Sequence, residues 1–179
     1  MNLEDEILRE HSRRQAERIA AWVGRDRKRF RQVMHLFLNG ESVITQRLAW
    51  VVGVCADAHP DLVRPYLRQM IGKMQDPGAH DAVKRNVVRI LQYVEIPSDL
   101  LGIVATLCFN YLSTIDTPIA VKCSSMTVLA RLAEKEPDLE RELRLVVEQQ
   151  LPYSTAAFCA RAKKILKHSQ YISQDLTHA

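Results

Sequence analysis

The stretch that decides the fold is residues 83–94, which read VKRNVVRILQYV. Its apolar residues stand at positions 0, 4, 7, 8 and 11 counted from Val83, and this spacing places them on one face of an α-helix. The spacing recurs from Ile44, Val121 and Phe158, with a serine at one position in each of the last two. The starting positions 44, 83, 121 and 158 lie 39, 38 and 37 residues apart. A period of this length built from helices indicates an array of helical repeats.

Each of these four helices follows another helical segment, and three of the preceding segments begin at a proline. Proline suits the first turn of a helix, where its missing N–H would have no partner. One helical hairpin cannot bury its apolar face alone, so neighbouring hairpins are expected to stack around a continuous core. The predicted organisation is one all-α domain over residues 1–179, with a capping helix at 3–23, hairpins at about 25–58, 60–95, 97–135 and 137–169, and a frayed tail at 172–179.

The composition is that of an ordinary globular protein of mildly basic charge. The 179 residues suffice for one domain with a core, and the net charge of +4 permits nucleic acid or an acidic partner without requiring either. The four cysteines form no CxxC pair and are predicted to be buried, reduced thiols of a cytosolic protein. No segment approaches the roughly 18 consecutive apolar residues of a membrane span. We therefore expect a cytoplasmic protein that does not enter membranes.

The second hairpin, which contains residues 83–94, resembles a HEAT repeat. The resemblance rests on a first helix from Leu62 to Met74, an Asp76-Pro77 turn, and Val83-Lys84 at the opening of the second helix. The third hairpin keeps Val121-Lys122, whereas the first and fourth hairpins keep only the repeated spacing of apolar residues. The resemblance covers residues 25–169 and implies an armadillo-type α-α superhelix, a right-handed solenoid of about four hairpins. Armadillo and tetratricopeptide arrays are alternatives, and the tetratricopeptide period of about 34 residues fits the spacing less well.

The resemblance also implies that the second helices of the hairpins line a concave surface. Helical geometry predicts that positions 2, 5, 6 and 9 of the repeated pattern point away from the core. The alternative for the aromatic residue of this set, Trp50, is that it packs against the first helix pair, with the basic residues forming a solvated face. The predicted partner-binding residues are Trp50, Arg85, Arg89, Gln92, Met126, Lys163, Lys164 and Lys167.

This residue set suits a groove with an aromatic group, a small apolar floor and basic flanks. Such a groove fits a protein or an acidic amphipathic peptide, which is the favoured partner. Nucleic acid is the runner-up, with Arg85, Arg89 and the three lysines on phosphates and Trp50 available for stacking. Some HEAT-like DNA-alkylation-repair glycosylases carry a basic groove with aromatic residues and a carboxylate. The outward positions here supply no carboxylate, so we expect a non-catalytic scaffold.

Two further charged segments stand outside this face. A basic cluster from Arg25 to Arg31, with Arg13, Arg14 and Arg18 before it, is either a patch for phosphate or an acidic partner or a solvated helix boundary. Residues 134–148 are acidic, which would allow head-to-tail association with the basic end.

Sequence motifs for catalysis are absent. The chain has no glycine-rich phosphate loop, no GxSxG and no HExxH. Cys55, Asp57 and His59 stand close together at a helix end, and we interpret them as a buried cysteine with two capping polar groups rather than a metal or nucleophile site. No cofactor and no metal site is predicted.

Overall fold

The computed structural model describes residues 2–177, with side chains up to Lys167, and this part of the chain contains helices and no strand. The predicted all-α fold is confirmed. The chain divides into two compact units, Met1–Ile96 and Pro97–Ala179, which are described in turn. The single domain over residues 1–179 stays a prediction. The frayed tail predicted at 172–179 lies outside the residues whose side chains are described.

The first unit contains an N-terminal helix pair followed by two helical hairpins. The first hairpin is α3 and α4, and in the second hairpin α5 and α6 form the first arm and α7 the second. A single 3-10 turn, Arg64–Tyr66, joins α5 to α6. The helices are α1 (Leu3–Arg9), α2 (Arg13–Val23), α3 (Arg27–Asn39), α4 (Ser42–Ala58), α5 (Pro60–Val63), α6 (Leu67–Gln75) and α7 (Asp81–Leu91).

The N-terminal segment corrects the sequence prediction, which placed one capping helix at residues 3–23. The structure contains two helices, because Ser12 adopts an extended backbone and its hydroxyl accepts a hydrogen bond from the Gln15 N–H at 3.1 Å. This contact is an N-cap that starts a new helix. The Gln15 side chain donates to the Glu6 carboxylate at 3.1 Å and holds α1 against α2.

Proline explains the second difference from the sequence prediction. The sequence predicted one continuous first arm through Leu62 and Met74, whereas the structure interrupts it at the turn Arg64–Tyr66. Pro65 has no N–H to donate and its ring crowds the preceding turn, so the helix cannot continue through it. The break leaves Tyr66 half-buried and facing α3, where its ring contacts Phe30.

The core of this unit is centred on α4, which packs against α2, α3 and α7. Its buried residues therefore cover more than one side of the helix and include Ala49 and Gly53. Gly53 permits the close approach of α7, since a Cβ there would lie 2.6 Å from Nη2 of Arg89 and 3.0 Å from Oδ1 of Asn86. The second helix of the first hairpin, α4, is thus a central element with neighbours on more than one side.

Basic side chains from neighbouring elements close the C-terminal ends of three helices in this unit. The last carbonyl groups of a helix have no partner within the helix and carry the negative end of its dipole, so a cationic donor stabilises them. The contacts are Arg47 Nη1 to the carbonyl oxygens of Ile7 and Leu8 (3.0 and 2.9 Å), Arg29 Nη1 to that of Trp22 (2.6 Å), and Lys73 Nζ to that of Leu38 (2.9 Å).

Replacing Arg47 by methionine tests this capping, because methionine keeps the aliphatic stem and removes the two donated hydrogen bonds. We expect Arg47→Met to lower the free energy of unfolding by about 1.5 to 3 kcal/mol, the range for losing hydrogen bonds to a charged group. Urea denaturation measures the change, and amide hydrogen exchange should accelerate in α1. The control is Arg14→Met at an exposed position of α2. Equal stability of the two variants would contradict the capping role.

The second unit contains two hairpins, α8 with α9 and α10 with α11. Here α9 is the central helix and packs against α8, α10 and α11. The 3-10 turns Ser98–Leu100 and Leu151–Tyr153 precede α8 and α11. The helices are α8 (Leu101–Ser113), α9 (Ile119–Ala133), α10 (Pro137–Gln150) and α11 (Ala156–Thr177).

The Val-Lys pairs that carried the family resemblance have a common structural role. Val83 and Val121 are fully buried at the start of α7 and α9. Lys84 pairs with Asp81 one turn earlier at 3.7 Å, and Lys122 buries its stem and donates to the Gln150 side chain at 3.4 Å. In each pair the valine enters the core while the lysine covers the helix start, with its charged end paired or hydrogen-bonded.

Candidate partner-binding surfaces

Trp50, the aromatic residue of the predicted surface, is half-buried against the N-terminal helix pair. Its ring meets the His11 ring edge-on, with centroids 6.2 Å apart and planes at 84°. Together with Gln15 and Arg47 it lines a narrow hollow beside α1 and α2. This is the packing alternative that the sequence left open, and it leaves only part of the indole ring for a partner.

Arg89 is committed to a contact between α4 and α7. Its Nη1 donates to both carboxylate oxygens of Asp57, at 2.8 and 2.9 Å, and the Tyr93 hydroxyl donates to the same carboxylate at 2.7 Å. Burial, followed by the hydrogen bond to Asp57, raises the pKa of the Tyr93 phenol and keeps it a donor. Gln92 is half-buried and its amide lies 3.3 Å from the Arg89 carbonyl oxygen. Arg89 therefore supports the contact between α4 and α7, and the Gln92 amide is used locally at the end of α7.

Arg85 is the predicted residue of this unit that remains available. It is exposed on α7 and forms no ion pair with a described residue. It stands one turn before Arg89 on the same helix, so the sequence pattern grouped two arginines that the fold uses differently.

The structure places Asp57 in this network rather than in a site with Cys55 and His59. Burial raises the pKa of the Cys55 thiol to about 12, and that of Cys108 in the second unit likewise to about 12. Thiols with such values stay protonated and are poor nucleophiles. Among the described residues, no group of three His, Cys, Asp or Glu side chains is placed to hold a metal ion.

Met126 corrects the predicted outward face. The sequence assigned it to a partner-binding surface, yet its side chain is 0% exposed, and Ala49 and Val88 at the same position of the pattern are also buried. The reason is that a second helix packs against its own first helix and against a neighbouring second helix, as α4 does against α7 and α9 against α11. This second contact covers more of the helix than the five-position pattern marks. Met126 is therefore a core residue and cannot contact a partner.

Lys163, Lys164 and Lys167, three of the predicted partner-binding residues, are exposed on α11. Their spacing places them on one side of the helix within little more than one turn. None of the three forms an ion pair with a described residue. The neighbouring Arg161 points inward and donates to the Thr127 hydroxyl at 2.5 Å, which ties α11 to α9. The second unit thus presents a lysine row, defined as Lys163, Lys164 and Lys167.

The basic cluster near the N-terminus is partly used within the fold. Arg13 pairs with Glu17 at 2.7 Å, Arg18 pairs with Glu6, and Arg29 both caps α2 and lies 5.0 Å over the Trp22 ring. The remaining exposed cations are Arg14, Arg25, Arg27, Lys28 and Arg31. In the acidic segment, Arg144 pairs with Glu140 and Glu148 at 3.6 and 3.9 Å, and head-to-tail association of the two segments stays a prediction.

A family model described as the HEAT repeat domain matches residues 3–169. The chain belongs to the HEAT repeat family. The match begins before residue 25, where the sequence resemblance began, so the helix pair α1 and α2 falls within the HEAT region. Comparison with curated proteins and with solved structures found no match.

HEAT repeat proteins are in general non-catalytic scaffolds that commonly mediate protein interactions. Their stacked helices create extended surfaces for partners. No helix among the described residues has the length and apolar character needed to cross a membrane.

Proposed function

We propose that this HEAT repeat chain is a non-catalytic scaffold that binds an acidic protein or peptide through exposed basic residues of its second helices. The observation that carries the proposal is the lysine row of α11, three exposed cations side by side with no carboxylate bound to them among the described residues. Such an uncompensated row attracts anionic groups and speeds their encounter with the surface. Arg85 on α7 offers a further exposed cation.

The state of the other predicted residues favours an acidic peptide over nucleic acid. Single-stranded nucleic acid is held by aromatic stacking as well as by cations, and the Trp50 ring already contacts His11. Arg89 is held by Asp57 and is not a ready phosphate ligand. Lysine ammonium groups can pair with the carboxylates of a peptide as point charges, without the fixed fork geometry of arginine.

Two observations support the non-catalytic part of the proposal and a reducing cellular location. The Asp57 carboxylate is neutralised by Arg89 and Tyr93, and the Cys55 thiol is held protonated by burial. All four cysteines are free thiols, and Cys55 and Cys108 are buried. Free buried thiols are typical of cytoplasmic proteins, and we place the protein there.

Fluorescence anisotropy with labelled polyglutamate, duplex DNA and single-stranded RNA, at low and near-physiological salt, tests the proposal. We expect polyglutamate to bind at near-physiological salt, and the triple variant Lys163→Glu, Lys164→Glu, Lys167→Glu to bind it about tenfold or more weakly, a loss of about 1.4 kcal/mol. The control triple is Arg14→Glu, Lys135→Glu, Arg141→Glu, which makes the same change in charge at exposed positions off the second helices.

Two outcomes would overturn the proposal. Equal weakening by both triples would mean that only the net charge matters. Binding of nucleic acid that survives near-physiological salt and falls with the lysine triple would replace the acidic peptide by nucleic acid. Phosphate contacts release counterions, so that binding should weaken more steeply with salt than peptide binding does.

A further inference from the structure

We propose that the first unit carries a separate docking cleft, on the side of its first helices, for an acidic peptide bearing one apolar side chain. The cleft lies between the first turn of α3 and the segment formed by α5 and the 3-10 turn, and its volume is about 430 Å³. It shares no residue with the second-helix surfaces proposed above. The residues that define it here are Arg27, Arg31, Asp61, Arg64, Pro65 and Tyr66.

The floor of the cleft is aromatic and is fixed by packing. Phe30 is buried beneath it, and the half-buried Tyr66 ring meets Phe30 edge-to-face, with centroids 5.7 Å apart and planes at 71°. This geometry is favourable for an aromatic pair and holds the Tyr66 ring in one orientation. The exposed Pro65 ring continues the apolar surface beside it. An apolar side chain of a ligand would find a preformed surface here.

The walls of the cleft are cationic. Arg27 and Arg31 stand one turn apart on α3, are exposed, and form no ion pair with a described residue. Arg64 lines the other side and pairs with Glu95, and both partners of that pair are exposed. An exposed pair contributes little to stability, so Arg64 can exchange Glu95 for a carboxylate of a ligand at small cost. Asp61 is the single carboxylate among the lining residues, so the walls favour an anion.

The exposure of the cations decides which anion fits. A compact phosphate or nucleotide site is built from a few buried polar groups that converge on the ligand, whereas the buried lining residues, Phe30 and Leu62, are apolar. Guanidinium groups bind carboxylates as well as phosphates with two parallel hydrogen bonds, so the apolar floor of the cleft decides between the two kinds of ligand. Carboxylates spaced along a peptide can reach both walls, while an apolar side chain between them covers Pro65 and Tyr66. The occupant that matches this arrangement is an acidic peptide with an apolar anchor.

Binding of two short fluorescein-labelled peptides tests the cleft. Both consist of glutamates, and one has a central leucine where the other has a serine. The peptides are measured on the lysine-row triple variant, so that glutamates do not bind the lysine row. At near-physiological salt we expect the leucine peptide to bind more tightly, and Arg27→Glu with Arg31→Glu to weaken it about tenfold, as expected for reversing two exposed ionic contacts. The matched control is Arg14→Glu with Lys28→Glu, which should change binding by less than about twofold.

A double-mutant cycle separates the aromatic floor from general charge attraction. Tyr66→Ser should remove the preference for leucine over serine, and Tyr66→Phe should retain it. Circular dichroism melts of both variants verify that the unit stays folded, and the cycle is read at a temperature below both transitions. A preference for leucine that survives in folded Tyr66→Ser would overturn the proposal.

The remaining outcomes distinguish the cleft from the lysine row and from a phosphate site. The lysine-row triple variant should leave the leucine preference unchanged. Loss of binding in that triple, without loss in Arg27→Glu with Arg31→Glu, would overturn the cleft while leaving the proposed function standing. Displacement of the peptide by inorganic phosphate at an equal concentration would overturn the peptide as occupant.

Discussion

Val87→Asp should unfold the first unit. The Val87 side chain is 1% exposed, and it lies in the middle of α7, which packs against α4. A carboxylate there would be buried without a partner, and we expect a loss of at least about 4 kcal/mol in the free energy of unfolding. Domains of this kind are stable by about 5 to 15 kcal/mol, so such a loss takes a large share of the total.

Tryptophan emission reports this unit directly, since both tryptophans, Trp22 and Trp50, belong to it. The expected result is a shift of the emission to longer wavelength together with a lower melting temperature by circular dichroism. Arg85→Asp is the control, because it places the same carboxylate two residues earlier at an exposed position. If Val87→Asp and Arg85→Asp have the same melting temperature, the inner face assigned to α7 is wrong.

The inner face itself could be predicted from the sequence. All five pattern positions of residues 83–94 are buried, and Ile44, Leu48 and Val51 of the first repeat are buried as well. The period was informative because the spacing of apolar residues along a helix directly reflects which side faces the core. The details it missed depend on single capping and breaking residues, namely Ser12 between α1 and α2 and Pro65 between α5 and α6.

The candidate surfaces were less predictable, because side-chain partners come from distant parts of the chain. The spacing on α7 cannot reveal that Arg89 binds Asp57 of α4, nor that Trp50 meets His11. The cleft of the first unit is a similar case. The sequence showed the basic cluster that contains Arg27 and Arg31, while Pro65 within a helical run was the available signal for the break that lies opposite it.

The outward face was wrong at position 5 of the pattern for a geometric reason. A pattern from one helix marks the side with the strongest apolar spacing, but the second helices are also covered by one another. Ala49, Val88 and Met126 are all apolar at this position, whereas Lys163 is charged. The recurrence of apolar residues in the first three repeats was therefore a signal of a second buried contact. Lys163 indicates that position 5 of the pattern is exposed in α11.

Met126→Asp should show most clearly whether the Met126 side chain is buried or faces outward. An outward Met126 would tolerate the change, whereas the buried side chain found on α9 should not, and we expect a loss of about 4 kcal/mol or more from the second unit. Lys163→Asp is the matched control, since it occupies the same position of the repeated pattern in α11 and is exposed. Circular dichroism in urea compares the two variants.

Labelling of Cys108 provides a second, local readout of the same variant. This thiol is buried in α8, and burial raises its pKa to about 12, so it should react slowly with a thiol reagent in the folded unit. In Met126→Asp, peptide mapping should find Cys108 labelled rapidly, because opening of the unit exposes the thiol and returns its pKa toward the ordinary value. If Cys108 is labelled as slowly in Met126→Asp as in Lys163→Asp, Met126 lies at the surface after all. It could then form part of the apolar floor of the predicted groove.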